Sequence, residues 1–216
     1  MEKIEVPFLG VSGEATLQKV SGLLDQLKRY QIEKISWPTY SYKPTVSFAI
    51  AHNNDSILLK YFISEKWIRA LYGKTHDPVF RDSCVEFFIS IDNNEEYYNL
   101  EFNCIGTCML GFGKGKTDRK LVAEKFVENI KRQSIINVTN VGNATITNWE
   151  LTLIIPREVF IYHSISTFKN RHCRANLFKC GDELPEPHFL SWQRIESDFP
   201  DFHQPEFFGT MLFICQ

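Results

Sequence analysis

The chain has 216 residues, 44% of them hydrophobic and 14% aromatic, which is enough apolar material to bury one undivided core. A formal net charge of -2 offers no basic field to hold a phosphate backbone, which argues against nucleic acid as a partner. No apolar run suits a signal peptide or a membrane span, so the sequence as it stands reads as cytoplasmic with no membrane partner; a periplasmic or extracellular protein would need a start further upstream.

Leu17, Val20, Leu24 and Leu27 recur at helical spacing and predict one amphipathic helix over 15–30, with Ser12 as its cap. Residues 45–51 then alternate Val46, Phe48 and Ile50. Residues 57–63 follow across Asn53, Asn54 and Asp55, which predicts a hairpin. A second hairpin is predicted from 83–91 and 97–104, and further strands at 146–155, 173–180 and 208–214, with Pro156 ending the first of these. One helix and many strands predict an all-β protein: an antiparallel sandwich of immunoglobulin or jelly-roll type over 36–216, preceded by a helical extension over 1–34, in one domain.

The second hairpin carries the most chemistry. A turn centred between Asn93 and Asn94 sets Glu86 across from Glu101, Phe88 across from Asn99 and Ser90 across from Tyr97. The opposite face, with Val85, Phe87, Ile89, Tyr98, Leu100 and Phe102, reads as core. Two opposed carboxylates stand roughly 5 Å apart at Cβ and repel each other, so a cation, a metal or a hydroxyl-rich ligand is expected beside them. Arg174 and Asn176 share a strand face and are the candidates for that role, with Arg174 bridging both carboxylates. That arrangement suits a structural network and the polar floor of a ligand site equally well.

Other features carry less. The six cysteines (84, 104, 108, 173, 180 and 215) lack paired zinc spacing and read as free thiols. The run from Gly111 to Thr117 resembles a phosphate loop, but Leu110 stands where the pattern needs glycine, and a mobile Gly/Lys loop is expected instead. His188 and His203 lie within two residues of prolines and read as loop hydrogen-bonders rather than metal ligands. The stretch 174–209 holds six Phe, Trp192, four prolines and two histidines with little periodicity beyond its start, so an ordered, ring-rich loop system is expected. Trp192 reads as packing more than as a ligand contact, because Phe189 and Leu190 adjoin it.

The segments Asp82-Ser-Cys-Val-Glu86, Tyr97-Tyr-Asn-Leu-Glu101, Trp149-Glu-Leu-Thr-Leu-Ile-Ile-Pro156, Ser191-Trp192 and His203-Gln-Pro-Glu-Phe-Phe-Gly209, in this order, resemble the family 9 carbohydrate-binding modules and their DOMON-related relatives, in the form common among Bacteroidetes. The resemblance runs from about residue 36 to the C-terminus and leaves the helix outside. It implies a sandwich that binds sugars without cutting them, oligosaccharides of plant polysaccharides such as xylan or glucan, and association with glycoside hydrolases. It also implies two rings clamping a terminal sugar, Phe80 and Phe202 here, with Glu86 among the groups that bond its hydroxyls. Where the family pattern has an arginine, this chain has Glu101. Calcium is the one metal implied, with no ligands placed.

Pyranose chemistry calls for flat rings against the sugar face and fixed polar groups around its hydroxyl belt. Phe80, Phe202 and Trp192 are the ring candidates; Glu86, Asn99, Glu101, Asn103, Arg174 and Asn176 are the polar ones. A clamp of this kind fails if either Phe80 or Phe202 is buried. Two alternatives stay open: a glycoside hydrolase using Glu86 and Glu101 as its carboxylate pair, and haem binding between a histidine and one of Met1, Met109 and Met211.

Overall fold

The computed structural model describes residues 2–12, 15–92, 95–142 and 144–215. In chain order the strands are β1 (Lys3–Val6), β2 (Tyr30–Gln31), β3 (Lys34–Ile35), β4 (Thr45–His52), β5 (Ser56–Glu65), β6 (Cys84–Ile91) and β7 (Tyr97–Asn103). They continue with β8 (Cys108–Gly113), β9 (Arg119–Leu121), β10 (Lys131–Val141), β11 (Ala144–Pro156), β12 (His172–Cys180), β13 (Phe189–Ser191) and β14 (Gly209–Phe213). The helices are α1 (Leu17–Leu24) and the single-turn α2 (Glu124–Val127). One sheet runs β1-β14-β12-β6-β7-β8-β9, with β13 and β3 attached beside β12; the other runs β10-β11-β5-β4-β2.

This is the predicted β-sandwich. Period-two alternation turns Val85, Phe87, Ile89, Tyr98, Leu100 and Phe102 of the first sheet inward against Phe48, Ile50, Leu59, Trp149, Leu151 and Leu153 of the second, and all are buried in one core. Both predicted hairpins form. The β6–β7 register sets Glu86 opposite Glu101 and Phe88 opposite Asn99 as expected. The described ladder ends at Ile89 opposite Tyr98, one step short of the expected Ser90–Tyr97 pair. The turn centre at Asn93 and Asn94 lies outside the described residues.

The helix is shorter than predicted. Its cap is Thr16, whose Oγ1 accepts the Lys19 amide at 3.3 Å, and not Ser12. It closes with the Gln26 and Leu27 amides bonding the carbonyls three residues back. The chain then turns away because Tyr30 and Gln31 pair with Phe48 and Ser47 of β4, a sheet pairing that overrides the helical periodicity. Val20 and Leu24 settle on the outer face of the second sheet, where Ala49 and Ala51 leave room beside Leu58 and Phe62. The N-terminal segment is more than a helix, since β1 pairs in parallel with β14 and β3 pairs antiparallel with β13.

Strands β8 to β10 were not legible from periodicity. Strand β10 is exposed along most of its length and lacks a buried face. Strand β8 takes in Gly111 and Gly113 of the expected Gly/Lys loop, leaving only 114–118 as bends.

The outer face of the first sheet is covered as well. All eight residues of β6 are buried. Phe88, Tyr97 and Phe178 of that face form a second apolar cluster with Trp37, Ile195, Phe202 and Phe208. The expected ring-rich loops of 181–208 therefore act as a roof over the sheet, interrupted only by β13 and the turn Pro205–Phe207.

A buried charge pair fastens the two sheets. Lys179 of β12 meets Glu65 of β5 at 3.0 Å, with both side chains 0% exposed. The ammonium also donates to the Cys180 carbonyl at 2.8 Å and to His188 Nε2 at 2.9 Å, while Trp149 Nε1 donates to Glu65 Oε1 at 2.6 Å. Burial and the neighbouring ammonium push His188 down to about 3, so its ring is neutral and accepts. Removing one partner strands the other charge. Lys179→Met is expected to cost about 3–5 kcal/mol in urea unfolding, and adding Glu65→Gln, which removes the orphaned charge, is expected to recover much of that loss.

Candidate functional site

Glu86 of β6, Asn99 and Glu101 of β7, Met109 and Gly111 of β8 and Cys180 of β12 all line one cleft of about 320 Å³ on the roofed face of the first sheet. The rest of its lining includes Phe80 and Asp182, Pro200 to His203, and Lys116 with Arg119 and Leu121 of β9. Gly111 is required here, because a Cβ at that position would lie 2.7 Å from Asn99 Oδ1.

The expected compensating cation is present, but it is Arg119 and not Arg174. Arg119 Nε donates to Asn99 Oδ1 at 2.8 Å, one Nη to the Tyr97 carbonyl at 3.0 Å and the other to the Gly115 carbonyl at 3.1 Å; its guanidinium also lies over the Tyr97 ring at 4.4 Å. Asn99 in turn donates to Glu101 Oε1 at 2.6 Å. Arg174 cannot bridge the carboxylates, because the β6–β12 register sets Phe178 opposite Glu86 and Arg174 opposite Ser90. That is four residues, roughly 13 Å, further along the strand. Its Nη2 instead donates to the Glu206 and Phe208 carbonyls.

Three other polar or ring candidates serve the scaffold rather than the cleft. Asn176 is spent on Gln193 and Leu177, donating to the Gln193 carbonyl and accepting both amides. Asn103 donates to the Tyr72 carbonyl and to Asp82, and accepts the Ile105 and Thr107 amides. Trp192 is core, edge-on to Phe48, with its indole N–H donated to Glu2.

Phe80 and Phe202 both border the cleft, as proposed for the clamp, but they are not equivalent. Phe80 is half-buried. Phe202 is 8% exposed, its ring stacked on Phe178 at 4.2 Å and 10° with Trp37 and Phe189 beside it. The condition of two exposed rings therefore fails at Phe202, because the roof needs that ring for its own packing. Sequence reading missed Arg119, Lys116 and Asp182. All three lie on the segments flanking the acidic hairpin and β12, and no periodicity points to them.

Burial governs the charges of the site. Desolvation first, and then the charge of Glu101, raise Glu86 well above the ordinary carboxyl range, although the Cys180 thiol donates to its Oε1 at 3.1 Å. Desolvation raises Glu101 to about 7 against the pull of Asn99 and Arg119, and Asp182 to about 6. The Oε2 atom of Glu101 is buried without a hydrogen-bond partner. Burial and the nearby cations hold His203 down to about 3, neutral and hydrogen-bonded through Nδ1 to the Tyr97 hydroxyl at 2.8 Å.

Among the described residues, one group of three thiol, imidazole or carboxyl ligand atoms lies within metal-binding reach: Cys84, Glu86 and Cys180, all within 4.8 Å of one another. Calcium takes oxygen ligands, so a group with two sulfurs does not fit it. All six cysteines are free, as expected, and only Cys215 is exposed.

The raised carboxyl predicts a pH dependence. In the fold Glu101 keeps a proton to about pH 7 that the unfolded chain releases near 4.5, so stability is lost as pH rises through that window. Glu101→Gln abolishes this loss. Its stability advantage over the wild type, measured by chemical denaturation at each pH, is expected to grow as pH rises from 4.5 to 7, and the substitution also removes the like-charge penalty on Glu86. Neutral His203 acts in the opposite sense below pH 6.5, but it is common to both proteins and cancels in the difference.

The model for carbohydrate-binding family 9 matches residues 18–213, so all of α1 but Leu17 lies inside the matched region and not outside it. A candidate carbohydrate-binding protein from Bacteroides uniformis is 34% identical, covers 98% of this chain and 99% of its own, and superposes with a TM-score of 0.90. Two structures of a family 9 carbohydrate-binding module from Caldicellulosiruptor kristjanssonii share the fold. The glucose complex is 8% identical with a TM-score of 0.54, and the cellotriose complex 9% identical with 0.56. They cover 98% and 100% of this chain and 95% of the module in each case. A comparison with curated proteins finds no match. With the acidic hairpin, the closing loop and the sandwich in place over nearly its whole length, the chain belongs to carbohydrate-binding family 9.

Proposed function

We propose that this chain binds carbohydrate without cleaving it, as a single domain that takes oligosaccharides of plant polysaccharides such as glucan or xylan and serves enzymes that degrade them. The observation that carries this reading is the cleft itself, where a half-open ring, Phe80, borders a floor of fixed polar groups formed by Glu86, Asn99 and Glu101. A sugar ring needs both an apolar face and an array of oriented donors and acceptors. Family membership and the glucose and cellotriose complexes of the Caldicellulosiruptor module support it.

Arg119 replaces the donor absent at position 101. Three of its N–H groups are committed within the protein, which leaves two for hydroxyls. With Phe202 mostly covered, Phe80 alone supplies the stacking face, so binding is expected to be weaker than a two-ring clamp would give. The geometry does not favour hydrolysis. Glu86 and Glu101 stand side by side across one ladder at the floor, whereas a glycosidase needs its carboxyls flanking the scissile bond.

Isothermal titration with glucose, cellotriose and xylotriose is expected to show millimolar or tighter binding of at least one. Phe80→Ala and Arg119→Ala should each weaken it at least about tenfold, equivalent to about 1.4 kcal/mol. Absence of binding by all three at millimolar ligand would sink the proposal, and turnover of an aryl glycoside abolished by Glu86→Gln would replace it with the hydrolase reading.

A further inference from the structure

We infer that Cys84, Cys180 and Glu86 form a site for a thiophilic divalent metal ion of the zinc class at the edge of the cleft, which Glu86 and Cys180 line. The β6–β12 ladder sets Cys84 directly opposite Cys180, and Glu86 follows two residues along β6 on the same face. Their ligand atoms already lie within 4.8 Å of one another, with Cys180 Sγ 3.1 Å from Glu86 Oε1. A tetrahedral centre with metal–sulfur bonds near 2.3 Å and metal–oxygen bonds near 2.0–2.2 Å separates its ligands by roughly 3.2–3.8 Å, so side-chain rotation is enough to close the site. The three residues come from positions 96 apart at the extremes, which is why cysteine spacing gave no hint of them.

A second observation points the same way. Glu101, directly across the ladder from Glu86 and lining the same cleft, buries Oε2 without a partner. A cation held by Glu86 beside that orphaned carboxyl offsets the cost of burying two acids side by side. Two sulfurs and one carboxylate select zinc-like ions over calcium or magnesium. The fourth position opens to the cleft, where water or a hydroxyl of a bound sugar completes the coordination. The inference does not depend on sugar binding, because all three ligands belong to the chain.

The full chain, stripped with chelator under reducing conditions, is titrated with Co²⁺ as the spectroscopic substitute for zinc and then with Zn²⁺, without sugar. One equivalent of Co²⁺ is expected to give thiolate-to-metal charge-transfer absorption that Zn²⁺ displaces, together with a rise in Tm. Cys84→Ser and Cys180→Ser should lose the absorption, and Cys215→Ala should keep it. Because either serine variant is open to misfolding, X-ray absorption on the wild-type zinc complex provides an independent readout, with two sulfur ligands expected. No charge-transfer band at a large excess of Co²⁺, a band unchanged in the folded serine variants, or a zinc shell without sulfur would each overturn the inference. Metal binding without sugar binding would leave it standing and count against the carbohydrate reading alone.

Discussion

The structure turns on one constraint: the central strand β6 is buried on both faces. In an antiparallel sandwich the outward face of a strand ordinarily meets water, and polar residues there need no partner within the protein. Here the loops of 181–208 and the segment around Trp37 and Val79 cover that face, so Glu86, Asn99, Glu101 and Asn176 must find partners inside the protein or bear the cost of going without. The ring content of the C-terminal segment follows from this, because a roof without regular structure must hold itself in place by aromatic packing. The stack of Phe178 on Phe202 and the contacts of Phe88 with Tyr97 and His203 do so.

Two buried charge groupings show how differently that cost is met. Lys179 has Glu65, His188 and the Cys180 carbonyl around its ammonium, so opposite charges offset each other in the pair between the sheets. Glu86 and Glu101 have no such match. Arg119 reaches them only through Asn99, and the consequence is a pair of carboxyls that hold protons far above the usual range. A buried pair of opposite charges is architecture; a buried pair of like charges, open to a cleft, is the place where the proposed ligand would find its polar partners.

What the sequence showed follows the same division. Most of the longer strands with one or both faces buried were legible, because period two or a continuous apolar run marked β4, β5, β6, β7, β11, β12 and β14, while the short β1, with its alternating burial, was missed. The Glu86–Glu101 opposition followed from turn position and pleat alone. Strand β10 was not legible because an exposed edge has no pattern to keep, and β8 and β9 were hidden by the glycines and lysines that read as a loop. The same blindness hid Arg119, since its placement depends on β9 pairing with β8. Arg174 was misplaced for a different reason. Its strand and face were read correctly, but the register between two strands distant in sequence is set by packing that no local pattern records.

Moving the guanidinium from the acidic strand to β9 changes what holds the site together. An arginine at position 101 would rise from a central strand anchored on both sides. Arg119 instead hangs on the last strand of the sheet, at the end of the bend 114–118, and its bond to the Gly115 carbonyl ties its own loop closed. Gly111 lets Asn99 and Arg119 approach β8, and Gly113 does the same for the backbone at Asp118, where a Cβ would meet the carbonyl oxygen at 2.0 Å. The segment that looked like a phosphate loop therefore carries the cleft's cationic wall. Gly113 is needed for close packing of backbone against backbone and Gly111 for the approach of the Asn99 and Arg119 side chains, while Lys116 and Arg119 supply the positive charge beside the two buried acids.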